Sequence, residues 1–175
     1  KNSGLFGRKD HIDDYLVKFY LYEDSIVETY RVEDQVGELK ILKLIKPDVL
    51  HNIDLEALST HLKEMQITTY PNQIGVGSLQ FFERAEEKIY YFVHDFIVGE
   101  FLSESLTREI YLGLRQSCLL CKQIINSLNE LKSDDITITP ETVFLNYEDD
   151  DTKVLVLPIL VNQFIKTYTQ GASNL

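Results

Sequence analysis

Hydrophobic positions in the first half of the chain fall mostly into short runs rich in aromatic and β-branched residues. Tyr15 to Tyr22 (Y-L-V-K-F-Y-L-Y) and Ile26 to Val32 (I-V-E-T-Y-R-V) are two of them, and Glu23-Asp24-Ser25 between them predicts a hairpin. A turn at Glu33 to Gly37 leads into a third strand, Glu38 to Ile45, which Pro47 closes. The period then changes. Leu55, Leu58, Leu62 and Met65 form one stripe of an amphipathic helix over Leu55 to about Gln66, with Asp54 as its N-cap. Ser78 to Arg84 and Lys88 to His94 read as a second hairpin around Ala85-Glu86-Glu87.

Beyond residue 95 the pattern is mainly helical. Leu114, Cys118, Cys121, Ile125 and Leu128 recur at alternating spacings of four and three, within a helix expected over Leu106 to Leu131. Leu120, Ile124 and Leu131 widen that stripe, which predicts deep burial of the helix. Ile136 to Ile138 and Val143 to Leu145 are short extended pieces, Glu148 to Asp151 is an acidic turn, and Lys153 to Leu157 is a last strand. The tail after Lys166 reads as frayed. The fold class is α+β.

Composition narrows the partners. The chain has 175 residues, 44% hydrophobic and 26% charged, which suits a globular domain of one or two small lobes. Its net charge of −11 disfavours nucleic acid and anionic lipid. No apolar run reaches the roughly 18 residues of a membrane span, and the polar start lacks the core of a secretion signal. A chain opening on Lys reads as a segment of a longer protein, in which a span is allowed. Cys118 and Cys121 form C-L-L-C without a second pair or a nearby His, so they read as small core residues of a cytoplasmic protein, not as a zinc or redox site.

Two stretches carry a family resemblance. Lys88 to Leu102 (K-I-Y-Y-F-V-H-D-F-I-V-G-E-F-L) resembles the last N-lobe strand and hinge of a protein kinase, with Asp95-Phe96, Gly99 and Leu102 in the hinge places. Ile136 to Leu145 (I-T-I-T-P-E-T-V-F-L) resembles the kinase catalytic loop, H-R-D-L-K-P-E-N-I-L-L, and Pro140, Glu141, Val143 and Leu145 match it. The resemblance covers about Tyr15 to Ile159. It implies two units: an N-lobe over 1–95, a five-stranded sheet with one helix, and over 96–175 a truncated, mainly helical C-lobe with a short β-hairpin and a tail. The Pro140 to Phe144 segment is also similar to the corresponding loop of the YukC/EssB family of type VII secretion, whose cytoplasmic module looks like a shortened pseudokinase.

The same resemblance implies lost chemistry. The turn that should be Gly-rich to admit phosphate is Tyr22-Glu23-Asp24-Ser25-Ile26, which has no glycine and two carboxylates. Lys43 falls at the nucleotide-binding lysine, a vestigial site position. The helix position that would hold its Glu partner falls near His61 and Leu62, with Glu56 and Glu64 off the stripe. His61, on the edge of that stripe, reads as a satisfied, partly buried histidine. Thr137 stands at the catalytic Asp, Thr142 at the metal-binding Asn, and Leu157, opening Leu157-Pro158-Ile159, at the Asp of D-F-G. Neither threonine nor leucine supplies the carboxylate needed for proton transfer or a hard cation. The expectation is a non-catalytic pseudokinase without cofactor or metal, acting as a protein-interaction, scaffolding or regulatory module that binds a protein partner or forms a homodimer. The alternatives are a cytoplasmic module of a bacterial secretion-system membrane protein, and an atypical phosphotransferase fragment using Lys43 with Asp134, Asp135 or Asp149 to Asp151. Without later helices to cover it, the apolar face of the long helix is expected to be covered partly by the tail Ile159 to Tyr168 and partly by another chain.

Overall fold

The computed structural model describes residues 4–68, 71–108, 113–131, 138–147 and 152–166. The first unit is built on an antiparallel sheet of β1 (His11–Ile12), β2 (Tyr15–Glu23), β3 (Val27–Glu33), β4 (Leu39–Ile45), β5 (Gln80–Arg84) and β6 (Glu87–Asp95), in the order β1-β2-β3-β4-β6-β5. It therefore has six strands, not the expected five. The extra strand is a two-residue piece whose hydrophobic pattern is too short to show a period. It is held by backbone bonds from Lys9 N–H to the Val17 carbonyl and from Val17 N–H to the Asp10 carbonyl, both 2.9 Å. Ile12 and Phe6 are thereby buried with Val17, Tyr30, Leu42 and Tyr91 on one face of the sheet. At the β5–β6 connection, Ala85 and Glu86 both take positive φ, 51° and 67°, the twist that a two-residue hairpin loop requires.

Alternation places Val27, Thr29, Lys43, Ile45, Phe92 and His94 on the other face. There α1 (Leu55–Ile67) packs Leu58 and Leu62 against Ile45, Ile53 and Phe92. Asp54 caps it as expected, accepting from the Ala57 N–H at 3.0 Å. The C-terminal segment also comes here. Asp54 N–H donates to the Phe164 carbonyl at 2.8 Å, and Lys166 N–H to the Asn52 carbonyl at 2.7 Å. Ile159 and Val161 join the same buried cluster. The tail up to residue 166 thus completes the first unit and does not cover the long helix; the residues expected to fray, from 167 on, lie outside the described residues.

The second unit is a small antiparallel sheet, β7 (Gly99–Phe101), β8 (Val143–Asn146) and β9 (Lys153–Val156), with β8 central. Two helices accompany it: a short α2 (Leu102–Thr107) and α3 (Leu114–Leu131), which lies within the stretch expected to contain the long helix. Gly99, at φ 150°, is required because a Cβ there would strike the Leu145 carbonyl. The stretch before β5 ties the two sheets together. Ile74 N–H donates to the Val156 carbonyl and Asp95 N–H to the Gly75 carbonyl, each at 2.9 Å.

Cys118 and Cys121 correct the sequence reading, because both are exposed. The buried side of α3 is instead the stripe of Leu120, Ile124 and Ser127, with the two apolar side chains against Val143, Leu145 and Val154. At 3.6 residues per turn this stripe lies about 100° around the helix from the Cys stripe. A helix packed on one sheet face covers one side of itself, so with the stripes about 100° apart one is covered and the other is exposed.

Candidate functional site

A cleft of about 680 Å³ lies between the two units, lined by the β2–β3 turn, Lys43 and Phe92 on one side and by Phe101, Glu141 and Leu157 on the other. A smaller apolar recess of about 120 Å³ adjoins it under residues 94–97, bounded by Leu21, Ile41, Ile74 and Phe144.

The β2–β3 turn is closed by its own carboxylate. Asp24 Oδ1 accepts from the Ile26 N–H at 2.7 Å and the Val27 N–H at 2.8 Å, an Asx turn. Backbone amides that could receive an anion are therefore already paired with one. Glu23 is engaged by Lys46 at 2.8 Å, and that contact raises the Lys46 pKa against the smaller opposing effect of burial.

Lys43 is buried on the cleft-facing side of β4, with 9% of its surface exposed. Its Nζ donates to Tyr22 Oη and Thr29 Oγ1, both at 3.0 Å, and lies 4.9 Å from the centre of the Tyr22 ring. Among the described residues no carboxylate forms an ion pair with it. Glu56 and Glu64 on α1 are exposed. His61 is half-buried and occupied elsewhere, with Nε2 3.0 Å from the Pro158 carbonyl and its ring packed on Phe164.

Thr142 and Leu157 meet, since Leu157 N–H donates to the Thr142 carbonyl at 2.9 Å. Thr142 is buried, and its hydroxyl accepts from the Thr139 N–H at 2.9 Å. Leu157 packs with Ile74 and Phe144. Lys43 and Leu157 thus line one cleft, with Thr142 next to Leu157. Thr137, Asp134, Asp135 and Asp149 to Asp151 lie outside the described residues. Among the described residues no group of three or more His, Cys, Asp or Glu is placed to hold a metal ion.

His94 was not singled out from the sequence. It is 5% exposed and lines the apolar recess. Burial first, and then the charge of Lys43, lower its pKa to about 3, so the ring is neutral. Nδ1 lies 3.0 Å from the Asp95 carbonyl, which can only accept, so Nδ1 carries the proton. Nε2 is then a buried acceptor without a partner among the described residues. Glu100 was also missed. Burial opposes its ionisation, yet hydrogen bonds from Tyr147 at 2.6 Å and Ser105 at 2.7 Å, together with Arg108, hold its pKa below the usual value. Neither residue belongs to a sequence pattern; only their positions beside the hinge bring them to notice.

Among solved structures the chain is similar to the kinase domain of Mycobacterium tuberculosis PknI, at 14% identity and a TM-score of 0.66, covering 87% of this chain and 62% of that one. A doubly substituted variant of the same domain matches at 13% identity and a TM-score of 0.66, over 89% of this chain and 63% of that one. The chain therefore has a protein kinase-like fold, and it spans less than two thirds of the kinase domains it matches. No protein-family model matches it, and neither does any curated protein sequence. Among the described residues no helix is long and apolar enough to cross a membrane.

Proposed function

We propose that this domain is a pseudokinase: a non-catalytic, kinase-like module that serves its parent protein by binding another protein. The observation that carries this reading is the self-occupied cleft. Asp24 takes the amides of the turn where phosphate would lie, and Tyr22 and Thr29 take the Lys43 ammonium. An incoming phosphate would have to displace a carboxylate held on two N–H groups, and Glu23 and Asp24 would repel it. Leu157 at the metal position offers no oxygen to magnesium. The Pro140 to Phe144 loop supports the narrower proposal of a shortened pseudokinase like those of the YukC/EssB family, for which a membrane span in the flanking sequence of the parent protein is the check.

The test is ligand-induced stabilisation, because a ligand that binds only the folded state raises its melting temperature. Millimolar magnesium-ATP is expected to leave Tm unchanged. A rise of several degrees that Lys43→Ala removes would overturn the proposal.

A further inference from the structure

The uncovered stripe of α3 has the geometry of a helix-pairing seam. Leu114, Cys118, Cys121, Ile125 and Leu128 fall at d, a, d, a and d over the end of one heptad and the two that follow it. A strict a/d stripe is narrower than the apolar face of a helix packed on a sheet, and its spacing of 3.5 is the period at which a second helix stays in register. The stripe is open. Leu114 is 83% exposed, Ile125 56% and Leu128 37%, and both cysteines are exposed. Among the described residues the own-chain contacts of α3 run through Leu120 and Ile124 and through hydrogen bonds of Gln123 and Glu130, none of them on the seam, so filling it would not disturb them.

Charge selects the occupant. The e positions beside the seam, on the side away from the β8–β9 hairpin, carry Arg115, Lys122 and Asn129. The only acidic residue of the helix, Glu130, lies at f and accepts a hydrogen bond from Asn72. This flank is therefore basic on a molecule whose net charge is −11. A second copy fits poorly. Antiparallel pairing centred on Cys121 sets e against e, bringing Lys122 to its own counterpart. Parallel pairing sets e against g, and the g positions are Ser117, Ile124 and Leu131, which offer no negative charge.

We propose that α3 docks an amphipathic helix of a partner protein, with large apolar residues at a and d and Asp or Glu along the flank facing Arg115 and Lys122. The small side chains of Cys118 and Cys121 leave room at mid-seam for bulky partner residues. This rests on reading the domain as a binding module. It is tested apart from nucleotide binding, since a magnesium-ATP response would remove the pseudokinase reading without altering peptide binding.

The probe is a labelled synthetic three-heptad peptide with Leu at a and d and Glu at e and g, whose own charges oppose self-pairing. Its anisotropy is read against the purified domain, beside a twin peptide with Lys replacing Glu. Saturable binding of the Glu peptide alone is expected, weakened about tenfold or more by Ile125→Asp and by the pair Arg115→Glu and Lys122→Glu. Ile125 is exposed, so the fold is expected to persist, and an unchanged melting curve of that variant checks this. Absence of binding, equal binding of the Lys peptide, or indifference to Ile125→Asp would overturn the proposal. So would sedimentation showing a dimer of the domain that Ile125→Asp converts to monomer, since the occupant would then be a second copy.

Discussion

Asp24 does with one side chain what a ligand would otherwise do at its turn: it satisfies two backbone N–H groups facing the cleft. Asp24→Ala leaves both without their acceptor and is expected to cost about 1–2 kcal/mol, read from the urea midpoint, with Asp24→Asn costing less. No loss in Asp24→Ala would mean that water replaces the carboxylate fully. His94 gives the domain a pH dependence of definite sign. Its folded-state pKa of about 3 lies below the ordinary value of 6.5, so the unfolded chain binds the proton more readily between those values. The stabilisation is complete above about pH 6.5 and is lost as pH falls towards about 3. Urea midpoints for the wild type and His94→Leu should therefore diverge in slope across this window. Parallel profiles would show that His94 does not titrate as its burial requires.

At the scale of elements, α3 shows how one helix can carry two apolar stripes with different fates. Because the Cys stripe faces solvent, replacing both Cys118 and Cys121 by Ala is expected to change stability by no more than about 0.5 kcal/mol. Both thiols should react with Ellman's reagent in the folded protein. Ile124→Ala, on the packed stripe, should cost about 1–2 kcal/mol. Thiols that react only after denaturation would place the wrong face against the hairpin. The other elements follow local rules closely. Asp54 caps α1, Leu58 and Leu62 point inward, and β3 and β4 pair in unbroken register, whereas β2 shifts register twice, between Val17 and Phe19 and between Tyr20 and Tyr22.

For the whole molecule, the path of residues 159–166 matters most. This segment crosses back from the small sheet and fills the core between α1 and the larger sheet, so residues late in the chain pack with its first half. Ile159, 3% exposed, is a core residue of the first unit although it lies far from it in sequence. Ile159→Ala should cost about 2–4 kcal/mol and lower one shared transition, with far-ultraviolet and near-ultraviolet signals still coincident. Two separated transitions in the wild type would instead mean that the units unfold independently.

Periodicity and capping determined most elements in advance. The strands of the larger sheet other than β1, together with α1, β8 and β9, are local consequences of alternation, of a 3.6-residue stripe, or of Asp54 before Leu55. The kinase-like fold was legible because motifs survive as spacings, and Lys43 and Leu157, which those spacings single out, line one cleft. Tertiary structure alone decided the rest. A two-residue strand has no period, so β1 exists only because Phe6 and Ile12 find a sheet face to cover. The sequence marks both stripes of α3 as apolar, but only the packing of Leu120 and Ile124 on Val143, Leu145 and Val154 settles which is buried. The bonds of Asp24 to Ile26 and Val27 are local, but His94 meets Lys43 and Glu100 meets Tyr147 only through folding, and no spacing within the chain records such meetings.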